Sequence, residues 1–563
     1  MTERFSFNLL DEPWIPVLWL DKEESGSAAD DADAATRRPD LLSVLDVLRE
    51  AHTVAGLDGD IPTQIPTVLR LLLAILHRAF DGPPSLGAWK ELWDAEQLPM
   101  ESITEYLERY HSRFDLFCPE RPFLQAAGLR DAKSRVKPTN LLMPQVASGN
   151  NVPLFSGRGD SQPIALTPAQ AARWLLHAHA FDTSGMKTGA VDDPAMKANK
   201  SSGKLGPLGQ IGVVISQGPT LRETLLLNLV PHGFGRMPEN RQDSAVWEAD
   251  EPLQVSYTER KLRGPADLFT FPARRIRLVP SDGGAGVEVR HIVMTAGDQI
   301  APGELRLAEP HTMFRRDTEA EKKEKRAPIY VPLRHVPGRV LWRGLPGLLA
   351  ERTASGPPRL GKDSPRVQPP GALRWIEEVV DQGYVPEDML LVVASYGAHY
   401  GTKAAVVDDL TYDDVPLPVA VLAAERPAAK SLMLLAVSAA DRAASALRAL
   451  DRDLRRSYGD RAKEKDRVAS ADLLADDLYF RLDDPFRRLA TALAGPDSAH
   501  AELSRSWAAT VTGSARRIAT TRIAGVPPGG ILHQHLFDGE RHTVAFAEER
   551  FSRSLAAAVR ELT

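Results

Sequence analysis

The sequence predicts an α+β protein with two parts. We expect a large mixed N-terminal domain at residues 1–418, with irregular loops and small antiparallel sheets, and a C-terminal antiparallel four-helix bundle at residues 419–563. A length of 563 residues exceeds that of one domain, and 43% hydrophobic with 26% charged residues excludes a disordered or fibrous chain. Helix-like and strand-like patterns alternate before Val419, and long helical patterns follow it.

The N-terminal domain opens with a β-like run. Residues Phe5–Leu20 carry β-branched and aromatic residues around two prolines, which predicts a short strand pair. Residues 23–39 are small, polar and acidic, as in a surface loop. Apolar residues at helical spacing then predict helices in three segments, residues 41–52, 66–80 and 101–114.

Two long segments have no periodicity. Residues 138–168 and 182–212 flank a predicted helix at 168–181, for which Thr167 is the expected N-cap. The second segment contains six glycines and four of the chain's 17 lysines. Irregular segments of this length are uncommon in compact domains unless they are functional, although an ordinary surface loop is the alternative.

The rest of the N-terminal domain is expected to be mostly strand and connection. Residues 266–300 predict a β-hairpin around the turn SDGGAG, and residues 311–329 a solvated, mixed-charge connection. Residues 388–396 predict a buried strand or short helix. After Val419, four periodic segments separated by turns predict the bundle: 429–456, 467–494, 499–520 and 541–561.

Composition limits the functional classes. The net charge of −6 does not indicate a nucleic-acid binder by bulk charge. A single cysteine, Cys118, excludes an internal disulfide and any zinc site with two thiolates, and we expect it to be a buried structural thiol. The apolar stretches are too short to span a membrane and the N-terminus does not resemble a signal peptide, so we expect a soluble cytoplasmic protein.

Catalytic patterns are missing from the sequence. It has no H-E-x-x-H, Walker A, G-x-S-x-G or dinucleotide-binding motif. Histidines two residues apart on a helix point to different faces, which is unfavourable for a metal site. We therefore predict no catalytic residues, no metal and no cofactor. The weak candidates rejected are His177 with His179, His533 with His535, and His52 with Asp58 and Asp60, which we interpret as a helix-end turn.

The two irregular segments remain as candidate binding elements. Glycine lets backbone N–H groups approach a phosphate or a groove, lysine adds positive charge, and asparagine or serine can bond to base edges. This composition suits contact with a polyanion.

Several motifs resemble one known family. FNLLDEPWIPV at Phe7–Val17 is similar to the opening of the CasA family, the large subunit of the type I-E CRISPR surveillance complex Cascade. The resemblance extends along nearly the whole chain. The further segments that carry it are LLSVLDVLREAH (41–52), GDIPTQIPTVLRLLLAILHRAF (59–80), FDLFCPERPFLQ (114–125), SGNNVPLFS (148–156), LRETLLLNLVP (221–231) and DLFTFPARRIRL (267–278).

The resemblance implies a non-catalytic role. Such a subunit recognises the protospacer-adjacent motif (PAM) in double-stranded DNA, mainly from the minor groove. It helps to open the duplex for guide RNA pairing and recruits a helicase–nuclease. The implied partners are target DNA, the CRISPR RNA ribonucleoprotein with other Cascade subunits, and the helicase–nuclease.

Two loops of the family match the irregular segments. The loop that anchors the subunit and supports PAM recognition matches residues 148–156, where we expect Asn150, Asn151 and Phe155 to act. The loop that enters the minor groove falls within residues 182–212. The residues expected to contact DNA there are Asn199, Lys200, Ser201, Ser202, Gly203 and Lys204.

A third family element is a wedge that separates the strands below the PAM. It matches YGAHYGTKAAVVDD, with His399, Tyr400, Gly401 and Thr402 at the tip. Many relatives have Gln or Asn there, so this tip departs from the pattern. Tyr400 could stack on a base, or it could be a packed loop aromatic.

The resemblance is incomplete at two further places. Paired Cys-x-x-Cys zinc motifs of some relatives are missing here. The stretch HIVMTAGDQI (291–300) lacks the basic finger of others, and Gln299 is a candidate replacement. The alternative function, argued without the family, is a scaffold or adaptor of a multisubunit assembly whose bundle binds protein.

Overall fold

A computed structural model describes most of the chain. The described residues are 5–20, 40–146, 162–194, 196, 200–235, 242–284, 286–325, 328–350, 366–458, 464–527, 535–537 and 540–563.

The chain divides into two compact units. The second unit contains residues Asp414–Thr563 together with Arg339–Ala350 and Glu377–Val392. The two inserted segments lie before the predicted domain boundary at 418/419, so each unit draws on more than one stretch of sequence. The first unit consists of Met1–Gly338, Glu351–Ile376 and Val393–Asp413.

Short helices are distributed along the chain before residue 382. The helix predicted at 66–80 is confirmed as α2, which is buried along almost its whole length. The described helices of this part are α1 (Val44–Arg49), α2 (Gln64–Ala79), α3 (Leu86–Asp94), α4 (Met100–Glu108), α5 (Pro168–Phe181), α6 (Leu221–Asn228), α7 (Pro265–Phe269), α8 (Leu305–Ala308), α9 (Thr318–Glu324), α10 (Leu345–Leu348) and α11 (Gly371–Asp381).

The strands form small separate sheets. Their orders are β2-β1-β3, β4-β10-β9, β13-β12-β14, β16-β15-β7, β5-β6, β11-β8 and β17-β18. The bounds are β1 (Ile15–Trp19), β2 (Asp40–Leu42), β3 (Val54–Leu57), β4 (Lys137–Pro138), β5 (Gly185–Thr188), β6 (Lys200–Gly203), β7 (Val213–Gln217), β8 (Glu259–Arg260), β9 (Arg274–Asp282), β10 (Val287–Ala296), β11 (Gln299–Ile300), β12 (Phe314–Arg316), β13 (Tyr330–Pro332), β14 (Val367–Gln368), β15 (Leu390–Tyr400), β16 (Val407–Pro418), β17 (His535–Phe537) and β18 (Glu540–His542).

The core of the first unit forms around α2. This helix packs against α4, α5, α6 and α7. Large side chains of the same unit, such as Trp14, Trp89 and Trp174, are almost completely buried. Each such side chain contributes about 1.5–3 kcal/mol of transfer free energy. The mixed helix and small-sheet class predicted from the sequence is therefore confirmed for this unit.

The N-cap of α5 is confirmed. The Thr167 hydroxyl accepts the N–H of Gln170, and the Gln170 side chain accepts the N–H of Thr167, which completes a capping box. Pro168 occupies the first helical position, where no N–H is needed. The helix therefore begins where its sequence indicates. It ends at Phe181, a few residues before strand β5 begins at Gly185.

The predicted hairpin at 266–300 is confirmed in its main part. Strands β9 and β10 pair antiparallel from Arg274 opposite Ala296 to Asp282 opposite Val287. The first residues of the range form α7 instead. The reason is non-local, because the Asp243 carboxylate accepts the N–H groups of Ala266 and Asp267 and so caps this helix.

Other predictions need correction. The predicted strand pair at 5–20 contains one strand, β1, which pairs with β2 and β3 from later in the chain. The solvated connection at 311–329 contains α9, capped by Asp317, and strand β12. Of residues 388–396, those from Leu390 onward lie in strand β15, one of the two predicted alternatives.

Long helices dominate the second unit. Trp507 donates its indole N–H to the carbonyl of Ala436 at 3.0 Å, and Phe486 stacks on Trp342 with ring centroids 4.5 Å apart. The first long helix packs against the other three. These helices are α12 (Pro427–Ser457), α13 (Glu464–Ala492), α14 (His500–Ala524) and α15 (Val544–Val559).

Candidate nucleic-acid interface

The lysine-rich segment contains a β-hairpin. Strands β5 and β6 pair antiparallel, with Gly185 opposite Gly203 and Thr188 opposite Lys200. The expectation of an irregular loop throughout 182–212 is therefore wrong. Gly and Ser weaken a strand on their own, so the pairing depends on contacts with other parts of the fold.

The side chains of β6 alternate between two environments. Ser201 and Gly203 are buried, whereas Lys200 and Ser202 are exposed. The Ser201 hydroxyl donates to the carbonyl of Thr188 at 3.4 Å and accepts the N–H of Ala296 at 3.3 Å. The Ser201 side chain thus faces the fold and cannot contact DNA, which corrects this predicted residue, and the backbone of Gly203 is buried as well.

The exposed face of the hairpin combines positive charge with polar and apolar groups. Its members are the exposed residues Lys200, Ser202 and Met186 and the partly exposed Thr188, and Met186 is 66% exposed. Arg135 extends this face by donating to the Thr188 hydroxyl at 3.3 Å.

The outer edge of β6 is bonded to neighbouring segments. Gln299 donates its amide to the carbonyl of Ser202 at 2.7 Å, and the N–H of Ser202 donates to the Tyr257 hydroxyl at 3.3 Å. Lys204 is paired with Glu259. Gln299 therefore has a structural contact with the hairpin, and the charge of Lys204 is partly compensated.

A buried arginine joins the root of the hairpin to β9. Arg274 is 1% exposed, and its guanidinium donates to the Asp182 carboxylate and to the carbonyls of Asp182, Thr183 and Lys204. The last two of these bonds measure 2.7 and 2.8 Å. Arg274 thus fixes the residues on both sides of the hairpin.

The Asp182 carboxylate balances two cations. Burial alone would raise the pKa of Asp182, but Lys187, at 2.6 Å, and Arg274 hold it well below its usual value. Burial lowers the pKa of Lys187, and Asp182 opposes this shift. One of the four clustered lysines is consequently part of the hairpin's internal support.

The turn between β15 and β16 has an unusual backbone. Lys403 and Ala404 have φ values of 58° and 53°, and a left-handed conformation costs a non-glycine residue about 1–2 kcal/mol. Ala404 donates its N–H to the carbonyl of Gly401 at 2.9 Å, and Gly401 donates to Val406 at 3.0 Å. Thr402 and Lys403 are the exposed residues of this turn.

Tyr400 does not lie at the exposed tip. It is the last residue of β15, is 8% exposed, and donates its hydroxyl to the carbonyl of Phe181 at 2.6 Å. Burial raises the pKa of its hydroxyl. A ring held in this way would have to leave the core to stack on a base, so the prediction of a wedging Tyr400 is corrected in favour of the packed aromatic.

The other residues of the predicted wedge are differently placed. His399 is half exposed, with Nδ1 3.7 Å from the Asp408 carboxylate. A Cβ on Gly401 would lie 2.8 Å from the same carboxylate, so the position favours glycine. Four predicted residues, Asn150, Asn151, Phe155 and Asn199, lie outside the described residues.

The hairpin and the turn meet at one residue. Ser184, directly before β5, donates its N–H to the carbonyl of Ala404 at 2.9 Å, and its hydroxyl lies 2.6 Å from the carbonyl of Lys403. Neither Ser184 nor Arg274 was predicted as a site residue. No local pattern marks them, because their partners are distant in sequence.

The rejected catalytic candidates have structural partners. His177 contacts the Thr63 hydroxyl at 3.0 Å, and His179 contacts the carbonyl of Leu124 at 2.9 Å. Asp60 pairs with Arg173 at 3.0 Å. Cys118 is partly exposed, not buried as expected, and lies 3.9 Å from Glu120.

Neither a metal-binding cluster nor a membrane-spanning helix is present in the part of the chain that the structure describes. No group of three or more His, Cys, Asp or Glu among them is arranged to hold a metal ion. Within the same part of the chain, no helix is long and apolar enough to cross a membrane.

Comparison with known proteins places the chain among the CRISPR-associated proteins. Residues 8–518 match the family model of a CRISPR-associated protein. That model is "CRISPR-associated protein Cse1", and because it covers most of the chain, the chain belongs to the Cse1 family, also named CasA. The family resemblance seen in the sequence is thereby confirmed.

Three relatives illustrate the similarity. A CasA/Cse1 protein of Thermus thermophilus is 34% identical over 317 residues, which is 56% of this chain and 56% of that protein's own length. The crystal structure of Cse1 from Acidimicrobium ferrooxidans has a TM-score of 0.80 at 34% identity, covering 100% of this chain and 99% of the other. The crystal structure of Thermobifida fusca Cse1 has a TM-score of 0.83 at 32% identity, and the match covers 99% of each chain.

Proposed function

We propose that this protein is a non-catalytic subunit of an RNA-guided CRISPR interference complex that recognises the PAM in double-stranded DNA. In this role it helps to open the duplex for guide RNA pairing and recruits the helicase–nuclease. The observation that carries the proposal is the exposed face of the β5–β6 hairpin, where Lys200 lies opposite Thr188 and Ser202 lies opposite Met186. Family membership supports the same role.

The hairpin face suits a groove of DNA. Lys200 can pair with a backbone phosphate, whereas the Ser202 hydroxyl and nearby backbone groups can bond to base edges. The buried support from Arg274, Asp182 and Lys187 holds this face without using its exposed groups. Such a rigid base lowers the entropic cost of binding.

The remaining elements are assigned in line with the family. We propose that Asn150, Asn151 and Phe155 belong to the loop that anchors the subunit. The wedge is assigned to His399, Gly401 and Thr402 with the adjacent Lys403, and Tyr400 supports it from within. The four C-terminal helices are proposed to form an antiparallel bundle that binds neighbouring subunits in the cytoplasm.

A scaffold without direct DNA contact is the second candidate. The long C-terminal helices favour it, because the exposed side chains of Leu473 (68%) and Phe480 (81%) on α13 could contact another protein. The two candidates differ in whether the hairpin face touches DNA.

The first test replaces Lys200 by Gln. Loss of one phosphate contact should weaken binding of the assembled complex to a PAM-bearing duplex. It should also reduce the slope of log K against log salt concentration by about 0.9. The duplex should carry the PAM selected from a randomised library, and binding is measured by gel shift between about 50 and 200 mM salt. Ser202→Asp should weaken binding further by placing a carboxylate beside phosphates.

The matched control is Lys90→Gln on α3, where the lysine pairs with Asp94 on the same helix. This change removes the same charge and should leave the affinity and the slope as in the wild type. Equal slopes for Lys200→Gln and the wild type would exclude Lys200 as a phosphate contact and would favour the scaffold.

A further inference from the structure

We propose that Ser184 couples the DNA-contacting hairpin to the β15–β16 turn, so that duplex opening responds to recognition by the hairpin. This inference rests on the proposed function. It concerns a positioning residue, because Ser184 itself needs no contact with DNA.

The coupling contact consists of backbone and side-chain hydrogen bonds. The N–H of Ser184 donates to the carbonyl of Ala404 at 2.9 Å. The Ser184 hydroxyl lies within hydrogen-bond distance of two carbonyls, 2.6 Å from Lys403 and 3.1 Å from Ala404. Both acceptors belong to the two residues of the turn that have positive φ values. The strained part of the turn is thus the part that Ser184 holds.

Ser184 is also directly connected to the hairpin. Gly185, the next residue, begins β5 and has a φ of 125°, a conformation that favours glycine. A displacement of β5 is therefore passed along the backbone directly to Ser184.

The preceding residues are fixed to the core. Arg274 donates to the carbonyls of Asp182 and Thr183 at 3.0 and 2.7 Å. The chain before Ser184 is thus held in place, and the contact of Ser184 with Lys403 and Ala404 connects the start of β5 to the turn. The carbonyl of Phe181, which accepts the Tyr400 hydroxyl, holds the end of β15 to the same segment.

Space beside the contact permits such a movement. A cavity of about 280 Å³ is bordered by Thr183, Ser184 and Lys187 on the hairpin side and by Ala405 and Val407 on the turn side. The two elements can therefore shift relative to each other at this wall without repacking of close-packed side chains.

The test compares recognition with opening in the assembled complex. Ser184→Ala removes the side-chain hydrogen bonds and keeps the backbone one. We expect R-loop formation on a fully paired target to slow about 3- to 10-fold, the range for loss of one hydrogen bond. Binding to the PAM duplex should stay within about twofold of wild type, and R-loop formation on a target with a pre-opened bubble beside the PAM should be unchanged. Opening is followed by 2-aminopurine fluorescence next to the PAM.

Two variants serve as controls. Ser281→Ala removes an exposed hydroxyl that donates to the carbonyl of Glu288 at 3.5 Å and should match wild type on all three substrates. Ser184→Thr keeps a hydroxyl and should recover most of the opening rate. Such recovery would distinguish a hydrogen bond from a general packing role.

The outcomes separate the inference from the proposed function. If Lys200→Gln weakens PAM binding but Ser184→Ala opens both targets at the wild-type rate, the coupling is refuted and the DNA-recognition role stands. If Ser184→Ala weakens PAM binding as much as it slows opening, Ser184 only shapes the hairpin and the inference is wrong. Unchanged PAM binding by Lys200→Gln counts against the proposed function itself.

Discussion

Replacing Arg274 by Ala is expected to lower the free energy of unfolding of the first unit by about 3–5 kcal/mol, the range for breaking a buried ion pair. The guanidinium is 1% exposed and bonds the Asp182 carboxylate together with the carbonyls of Asp182, Thr183 and Lys204. Its removal leaves these acceptors without their donor and Asp182 with only Lys187 as a counter-ion.

The effect should be concentrated at the hairpin. Hydrogen exchange of the full chain should show loss of protection in β5 and β6 at denaturant concentrations where α12 and α14 remain protected. Arg274→Lys should recover only part of the stability, because an ammonium group cannot reproduce the planar fork of the guanidinium.

Arg290→Ala is the matched control for this experiment. Arg290 lies on β10 in the same sheet as Arg274, but its side chain is 47% exposed and pairs with Glu288 on the surface. Water screens an exposed pair, which therefore contributes little to stability, so the control should stay close to wild type. Similar losses for both variants would show that Arg274 has no special role at the hairpin.

The second large effect is a loss of stability in mild acid. Burial lowers the pKa of His77 and of His177 to about 3, and that of His179 to about 4. The unfolded chain binds protons at these groups near pH 6.5, whereas the folded chain does not. Because the unfolded state binds more protons, the free energy of unfolding falls as the pH falls from about 7 toward these folded-state values.

The expected size follows from the ordinary histidine pKa. Each of these three histidines should destabilise the fold by about 2 kcal/mol between pH 7 and pH 5. Together they amount to about 6 kcal/mol, which is a large part of the 5–15 kcal/mol typical of folded proteins. Denaturation followed by hydrogen exchange of α2 and α5 should report this loss.

His77 provides a specific check on this pH dependence. Within the described residues neither of its ring nitrogens has a hydrogen-bond partner, and its ring stacks on His232 at 5.6 Å. His77→Phe should therefore reduce the loss between pH 7 and pH 5 by about 2 kcal/mol. An unaltered acid profile for His77→Phe would refute this account.

The helices could be predicted because their signals are local. The Thr167–Gln170 capping box and Pro168 lie within four residues of each other, and the structure begins α5 there. Similarly, the SDGGAG turn correctly indicated where β9 gives way to β10. Short-range chemistry of this kind is visible without knowledge of tertiary contacts.

The candidate site was less predictable because its order comes from distant residues. Glycine and serine in β6 do not indicate a strand, and the hairpin is supported by Arg274, about 70 positions later in the chain. Tyr400 was misplaced for the same reason. Its burial depends on the carbonyl of Phe181 and on the missing side chain of Gly209, neither of which a local pattern can reveal.

The alternation of side chains along β6 determines how the hairpin could be engineered. In a library that randomises the four consecutive residues from Lys200 onward, two of the four positions, Ser201 and Gly203, would place new side chains in the interior. A Cβ added at Gly203 would lie only 3.3 Å from the Lys187 side chain. Variation confined to Lys200, Ser202, Met186 and Thr188 would change the chemistry presented to solvent while the interior contacts are kept. Selection for altered motif preference should therefore sample every second position on two strands.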